Sequence, residues 1–438
     1  MDEEFLQFES KVFELLEGKL SSINDEGELL RNIETISKTV NPAVTQDEIN
    51  QAIADARKFD PIDDYLHNEE IEDIMVNNTR NIFVYRTGAG IEMVKERIPT
   101  RKELSRFVKK LRMYATSDMA SKQIFDVHMP TGARANIVES PLGADVTIRS
   151  FKKKAYSIID LINRGELSYN MAGRLWVYSE GLKVRPANIV IGGTPGSGKT
   201  TLLNAMFSFF RPEERIVVIE ETYELNTETQ ENCVRLETSP QVDLQDLLKN
   251  SLRMRPDMLI VGEVRGAEAQ DMMVAMNIGK IAMSTIHAST TRDIITRLES
   301  SPMNIDRNAI SLVDVLMVVS QVQEEGMYTR KITQVSEVSG VETKVLLSDL
   351  FLYDYKTRKG SQILPSVTYR DNLSKLSGYS PSKIIEEEQR RAKILEKLNK
   401  MGIRDLAGIN NFCKEYYEDP EKALNKIELS NLGILTYD

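Results

Sequence analysis

The chain has 438 residues, 41% hydrophobic and 28% charged, and a formal net charge of −10, enough for two or three globular domains. The acidic balance argues against a general nucleic-acid binder with a basic stripe, and two cysteines without CxxC spacing, Cys233 and Cys413, exclude a cysteine-built zinc ribbon or a disulfide framework. No apolar run approaches membrane-spanning length, and the acidic start Met1-Asp2-Glu3-Glu4 lacks a signal-peptide profile, so a cytoplasmic protein is expected.

Residues 1–57 predict a helical subdomain: Phe5, Phe8, Val12, Leu15 and Leu16 share one face, and the period recurs weakly through Leu29, Leu30 and Ile33. Residues 58–150 read as an α+β domain. It has strands at 71–76 and 82–85, a helix over 101–115, a turn at 131–133 and a strand at 146–149, followed by the basic run Lys152-Lys153-Lys154. Residues 151–186 form a connector holding the lone Trp176, which reads equally as a hinge or as a packing element. Over 187–345, apolar strands at 188–191, 216–219, 258–261, 282–286 and 315–319 alternate with helical stretches. That alternation predicts a parallel sheet with crossovers, whose ligands gather at the C-terminal strand ends. Residues 346–438 read as a mostly helical extension after a strand near 350–355. Its long helix opens at Pro381, and the i,i+4 pairs Glu386/Arg390 and Glu387/Arg391 suggest a solvated face.

The stretch with the sharpest chemistry is Gly193-Thr194-Pro195-Gly196-Ser197-Gly198-Lys199-Thr200, set between a strand and a helix start at Thr201. It fits the phosphate-binding loop pattern at every fixed position. Glycines let backbone N–H groups turn inward around phosphate oxygens, and the helix N-terminus adds partial positive charge. Lys199 can reach the β- and γ-phosphates, and the Thr200 hydroxyl can ligate magnesium. Three further strand ends carry polar groups. One ends in Glu220, Glu221 and Glu224, acids suited to positioning water or magnesium, although composition alone also fits a solvated acidic loop. The next ends in Gly262-Glu263, with Gly262 where a phosphate-loop enzyme usually has Asp, and runs on to Arg265. Glu263 is then the carboxylate there to hold magnesium or act as base. The last ends in His287, placed to sense the γ-phosphate or to bridge to a neighbouring segment. His67 and His128 share no metal-ligand spacing with it and read as structural.

These motifs, in this order, resemble the secretion superfamily of motor ATPases that power type II and type IV secretion, type IV pili and the archaellum. Leu252-Arg253-Met254-Arg255-Pro256-Asp257 through Gly262-Glu263-Val264-Arg265 matches the family's atypical Walker B motif in full. Ser284 to His287 looks like its His box, and Glu220 to Glu224 its Asp box, with Glu where Asp is common. Arg330-Lys331-Ile332-Thr333 and Glu337 look like its later strands, and Arg134 and Arg149 match two arginine positions that reach the nucleotide. The resemblance implies an α/β fold: a RecA-like P-loop core, an N-terminal α+β (PAS-like) domain, and helical additions at both ends. It implies ATP and Mg²⁺ as substrate and cofactor, with Glu224 activating water and Glu263 on the magnesium side; the reverse assignment stays open. It further implies a homo-hexamer driving pilin-like subunits through a polytopic membrane platform protein. The four-cysteine insertion of many bacterial members is missing, so the chain looks more like the Tad-type and archaeal branches. Two rivals remain at this point: a P-loop motor on nucleic acid, and a regulatory module that binds nucleotide without turnover.

Overall fold

The computed structural model describes residues 3–20, 26–87, 89–116, 118–150, 155–239, 241–324, 327–362 and 365–429. The basic run at 152–154 and the last stretch of the expected helical tail, 430–438, lie outside them. The chain divides into two compact units, residues 1–153 and 154–438.

The first unit opens with helices α1 (Glu3–Leu16), α2 (Glu26–Val40) and α3 (Gln46–Arg57). Thr45 and Glu48 start α3 through a reciprocal capping box, which satisfies two backbone donors the helix end would otherwise leave open. Val12, Leu16 and Ile33 are fully buried, as the helical period predicts, while Leu15, expected on the same face, is exposed. After the short α4 (Asp63–Leu66) come strands β1 (Ile71–Asn77), β2 (Asn81–Arg86) and β3 (Gly90–Met93). Helix α5 (Arg101–Met113) follows, then β4 (Ile124–His128), β5 (Arg134–Ser140) and β6 (Gly143–Arg149). Among the described residues the sheet is antiparallel, in the order β3-β2-β1-β6-β5-β4. One face packs on the helices. In β6, Ala144, Val146 and Ile148 point into that core while Thr147 and Arg149 are exposed.

The second unit is built on a sheet ordered β15-β14-β13-β12-β7-β11-β10-β8-β9. Its parallel part comprises β7 (Ile189–Gly192), β8 (Ile216–Glu220), β9 (Cys233–Glu237), β10 (Met258–Val261), β11 (Ile281–Ile286) and β12 (Val315–Glu324). An antiparallel ribbon continues it through β13 (Met327–Val341), β14 (Val345–Asp354) and β15 (Lys359–Gln362). Leaving aside the edge strand β9 and counting the other parallel strands from β7 onward, the order is the RecA-like 5-1-4-3-2, with the fifth strand beside the first and the fourth between the first and third. The central strands are largely apolar because both faces are covered; β11 buries Ser284 and Thr285 among its apolar residues. Ile189 and Ile191 join the core on one side and Val190 the core on the other. Helices α9 (Leu244–Ser251), α10 (Glu268–Asn277), α11 (Thr291–Glu299) and α12 (Arg307–Ile310) cover the second face. The first is covered by α6 (Ile158–Asn163), α7 (Tyr169–Glu180), α8 (Lys199–Met206) and the C-terminal helices. These are α13 (Thr368–Ser377), α14 (Pro381–Lys400), α15 (Leu406–Glu418) and α16 (Pro420–Lys426).

The sequence leaves one segment open, and one differs from its reading. The stretch around Trp176, open between hinge and packing element, is packed: Trp176 is fully buried and stacks on Phe209 at 5.1 Å between ring centroids. Its indole N–H donates to the Tyr417 hydroxyl at 2.6 Å, which ties α7 to α15. The charge run of α14 is not a solvated face. Glu387 and Arg391 are fully buried; Arg391 pairs with Glu180 at 2.8 Å and Glu387 at 3.3 Å, while Arg174 pairs with Glu388 at 3.0 Å. Arg390 pairs with Glu387 rather than Glu386. The buried stripe of α14 runs Ile384, Glu387/Glu388, Arg391, Ile394/Leu395 and Leu398, so the ion pairs occupy core positions of an ordinary helical period. The charges are tolerated there because each meets an opposite charge from α7 or its own helix.

Candidate active site

The phosphate-loop segment runs from the end of β7 into α8, as the motif requires. Gly196 and Gly198 sit at φ 72° and 99°, left-handed conformations that favour glycine and turn the loop back on itself. Thr200 and Thr201 lie in the first turn of α8.

Strand order then decides which side chains meet. β11 lies between β7 and β10, so His287, just past the end of β11, is set between the loop and Glu263. The contacts follow. The Lys199 ammonium donates to the carbonyls of Gly193 at 3.0 Å and Thr194 at 3.2 Å, and lies 3.2 Å from His287 Nδ1. His287 Nε2 lies 2.9 Å from Glu263 Oε1. With a proton on Nε2 the ring donates to Glu263 and can accept from Lys199 at Nδ1, which also lies 3.3 Å from the Gly193 carbonyl. Lys199, His287 and Glu263 therefore form one line across three strand ends.

The acidic segment after β8 has a different internal order. Glu220 is buried; its Oε1 accepts from the backbone N–H groups of Glu224 and Leu225, each at 3.0 Å. Burial pushes its carboxyl up to about 7, opposed by those two N–H groups and by Arg235, whose Nη2 lies 3.9 Å from Oε2. Glu220 thus shapes the loop, while Glu221 and Glu224 are exposed. Asn204 on α8 holds the same loop by accepting from Asn226 N–H at 3.0 Å. Glu221 pairs with Arg265.

Gly262 has a steric explanation. A Cβ built there would lie 3.0 Å from Glu220 Cγ, so the neighbouring strand's side chain fills the space an Asp would need. The Gly262 carbonyl accepts from Thr285 Oγ1 at 2.7 Å, and Glu268 Oε1 accepts from the N–H groups of Arg265 at 2.6 Å and Gly266 at 2.7 Å. At the other end of β10, Asp257 accepts from Arg215 N–H at 2.9 Å; the Pro-Asp part of that long motif is a strand clasp remote from the chemistry.

Arg134 and Arg149 belong to the first unit, where they are cross-strand partners on the exposed face of β5 and β6, and Arg134 pairs with Asp126 at 3.3 Å. Among the described residues no three His, Cys, Asp or Glu side chains cluster to cage a metal. The oxygen donors the site does offer, a hydroxyl at Thr200 and a carboxylate at Glu263, suit a hard cation that keeps waters and phosphate oxygens in its shell, as magnesium does. Sequence reasoning missed Asn204, Arg235 and Glu268, and also Gln321 and Arg330, whose side chains touch the phosphate loop from β12 and β13. No spacing rule connects them, since Arg330 is 134 positions from its contact.

Residues 55–342 match the family described as type II/IV secretion system protein. The uncharacterized protein MJ0781 of Methanocaldococcus jannaschii is 38% identical over 228 residues, 49% of this chain; the chain spans 31% of that relative's length. The conjugal transfer protein TrbB of Rhizobium radiobacter is 28% identical over 291 residues, 63% of this chain and 86% of TrbB. The crystal structure of the Legionella pneumophila ATPase DotB covers 80% of this chain and 92% of its own at 16% identity, with a TM-score of 0.47. The chain belongs to the type II/IV secretion system protein family.

Proposed function

We propose that this member of the secretion family is an ATP-hydrolysing motor that works as a ring, a homo-hexamer, at the cytoplasmic face of a membrane. The observation that carries the reading is the line of contacts Lys199–His287–Glu263, which joins the phosphate loop to the acidic strand end through the His box. Loop amides and Lys199 would bind the β- and γ-phosphates, and His287 would report their presence to Glu263. Thr200 and Glu263 would hold magnesium, which supplies positive charge to the phosphates when bound. Glu224, held out by Glu220, is assigned to water activation. Arg134 and Arg149 are assigned, on the family resemblance alone, to neutralising phosphate charge in the assembled ring.

The work done on the cell side is read as export or assembly of pilin-like subunits through a polytopic membrane platform protein. No described helix is long and apolar enough to cross a membrane, which is consistent with a motor that reaches one through a partner.

The test is magnesium-dependent ATPase activity against protein concentration, with mass in solution, for wild type, Lys199→Ala and Arg134→Ala. Turnover should rise with a ring-sized species and be lost in both variants. A monomer that hydrolyses at full rate, with Arg134→Ala silent, would overturn the ring mechanism. Stimulation by DNA that fades with salt would favour the nucleic-acid motor instead.

A further inference from the structure

The outer side of the phosphate loop is held by the β12–β13 hairpin. Gln321 on β12 is the direct cross-strand partner of Arg330 on β13. Both side chains donate to one atom, the Gly196 carbonyl: Gln321 Nε2 at 3.1 Å and Arg330 Nε at 2.9 Å. The Arg330 stem then lies along the loop, where a Cβ built on Gly198 would come within 3.1 Å of its Cδ. A trans peptide points its C=O and N–H in opposite directions. With the Gly196 carbonyl held outward, the next N–H, that of Ser197, is turned to the inner side of the loop, where it donates to the Thr194 carbonyl at 3.2 Å. That inner side is the one a phosphate cradle uses.

The same strand goes further. Gln334 Oε1 accepts from Thr291 N–H at 3.1 Å, and the Ser336 and Thr291 hydroxyls lie 2.9 Å apart, at the start of the helix that follows His287. Glu337 accepts from the N–H groups of Val367 at 3.0 Å and Thr368 at 2.9 Å, at the start of α13 and outside the family match. β13 thus touches the loop, the His-box helix and the C-terminal extension in turn.

We propose that Gln321 and Arg330 are positioning residues that hold the Gly196–Ser197 peptide for phosphate binding, acting equally on ATP and ADP. This rests on reading the loop as a nucleotide site. The test is equilibrium binding of fluorescent ADP and a fluorescent non-hydrolysable ATP analogue to the full chain, with kcat and KM measured alongside. The proteins are wild type, Arg330→Ala, Arg330→Lys, Gln321→Ala and Lys199→Ala.

Arg330→Ala should weaken both nucleotides by the same factor, about tenfold, and Gln321→Ala by about threefold, because a charged donor contributes more than a neutral one. KM should rise by those factors while kcat stays within about twofold, the pattern of lost uniform binding. A merely structural defect would lower the active fraction, and so kcat, without moving the dissociation constant. Arg330→Lys keeps one donor and should recover most of the loss. Should Arg330→Ala fold poorly by thermal melt, Gln321→Ala carries the same comparison. Wild-type affinity for both nucleotides in both alanine variants overturns the proposal. Loss confined to the ATP analogue also overturns it, since Arg330 would then act on the γ-phosphate and not through the loop. If wild type binds neither nucleotide, or Lys199→Ala binds as wild type does, the nucleotide reading itself fails and this inference with it.

Discussion

Glu220 offers a prediction in which fold and chemistry separate cleanly. Its carboxyl is held in the buried end of β8, and burial carries its pKa from the ordinary 4.5 to about 7. The sign follows from proton counting. In the unfolded chain Glu220 releases its proton near 4.5, whereas the folded chain keeps it to about 7. Between those values the folded state binds more protons, so stability falls as pH rises and the loss is complete above about 7. Ionised Glu220 therefore costs the fold about 3 kcal/mol, of which roughly 2–3 kcal/mol appears between about pH 5 and about pH 8. Glu220→Gln removes that cost and keeps a carbonyl to accept from the Glu224 and Leu225 N–H groups, so it should gain on wild type as pH rises. Glu220→Ala loses the acceptor, releases the loop and should lower kcat at every pH, because Glu224 is no longer held. The assay is denaturant unfolding of the second unit's transition at the two pH values, with turnover measured in parallel. A Glu220→Gln advantage that does not grow with pH would refute the argument, as would an alanine variant with wild-type turnover.

Two further substitutions probe the C-terminal helices. Gly173→Ala in α7 would set a Cβ 2.2 Å from the Glu388 carbonyl oxygen of α14, so the helices must part; unfolding should show a loss of about 1–3 kcal/mol or more. Arg391→Met takes the paired cation from buried Glu180 and leaves Glu387 with Arg390, and should cost about 3–5 kcal/mol; adding Glu180→Gln should return part of it in the same measurement.

What was legible in the sequence was whatever obeys a local rule. The loop over 193–200 showed itself because glycines, lysine and threonine must stand at fixed separations in one turn. The central strands showed themselves because a parallel strand covered on both faces is apolar without alternation. His287 was placed at a strand end, with bridging as one of its two roles, and the strand order supplies the rest by setting β11 between β7 and β10. Arg330 and Gln321 stayed hidden for the opposite reason. Their partner is a main-chain carbonyl on a distant loop, and a carbonyl has no residue type to recognise. α14 misled because i,i+4 charge pairs look alike on a wet face and in a dry one; only the opposite charge on α7, Glu180, distinguishes them.

Gly262 and Glu220 are two halves of one substitution. A phosphate-loop enzyme usually has a carboxylate on the strand that here ends at Gly262, and this chain puts a carboxylate one strand over. β8 and β10 are adjacent and parallel, with Ile219 opposite Val261, so Glu220 and Gly262 stand level past the last paired residues. The 3.0 Å approach of Glu220 Cγ to an ideal Cβ on Gly262 means that any side chain at 262 would have to displace Glu220 by a few tenths of an ångström. Once buried there, Glu220 is poorly suited to hold a cation, because its Oε1 already accepts two backbone N–H groups and burial favours its neutral form. On the roles proposed above, the tasks that one acidic strand end performs elsewhere would be divided here: Glu220 holds the loop's shape, Glu224 is proposed for water, and Glu263, in line with His287 and Lys199, for the cation. An Asp placed at 262 would compete with Glu220 for space before it could take over any of these roles.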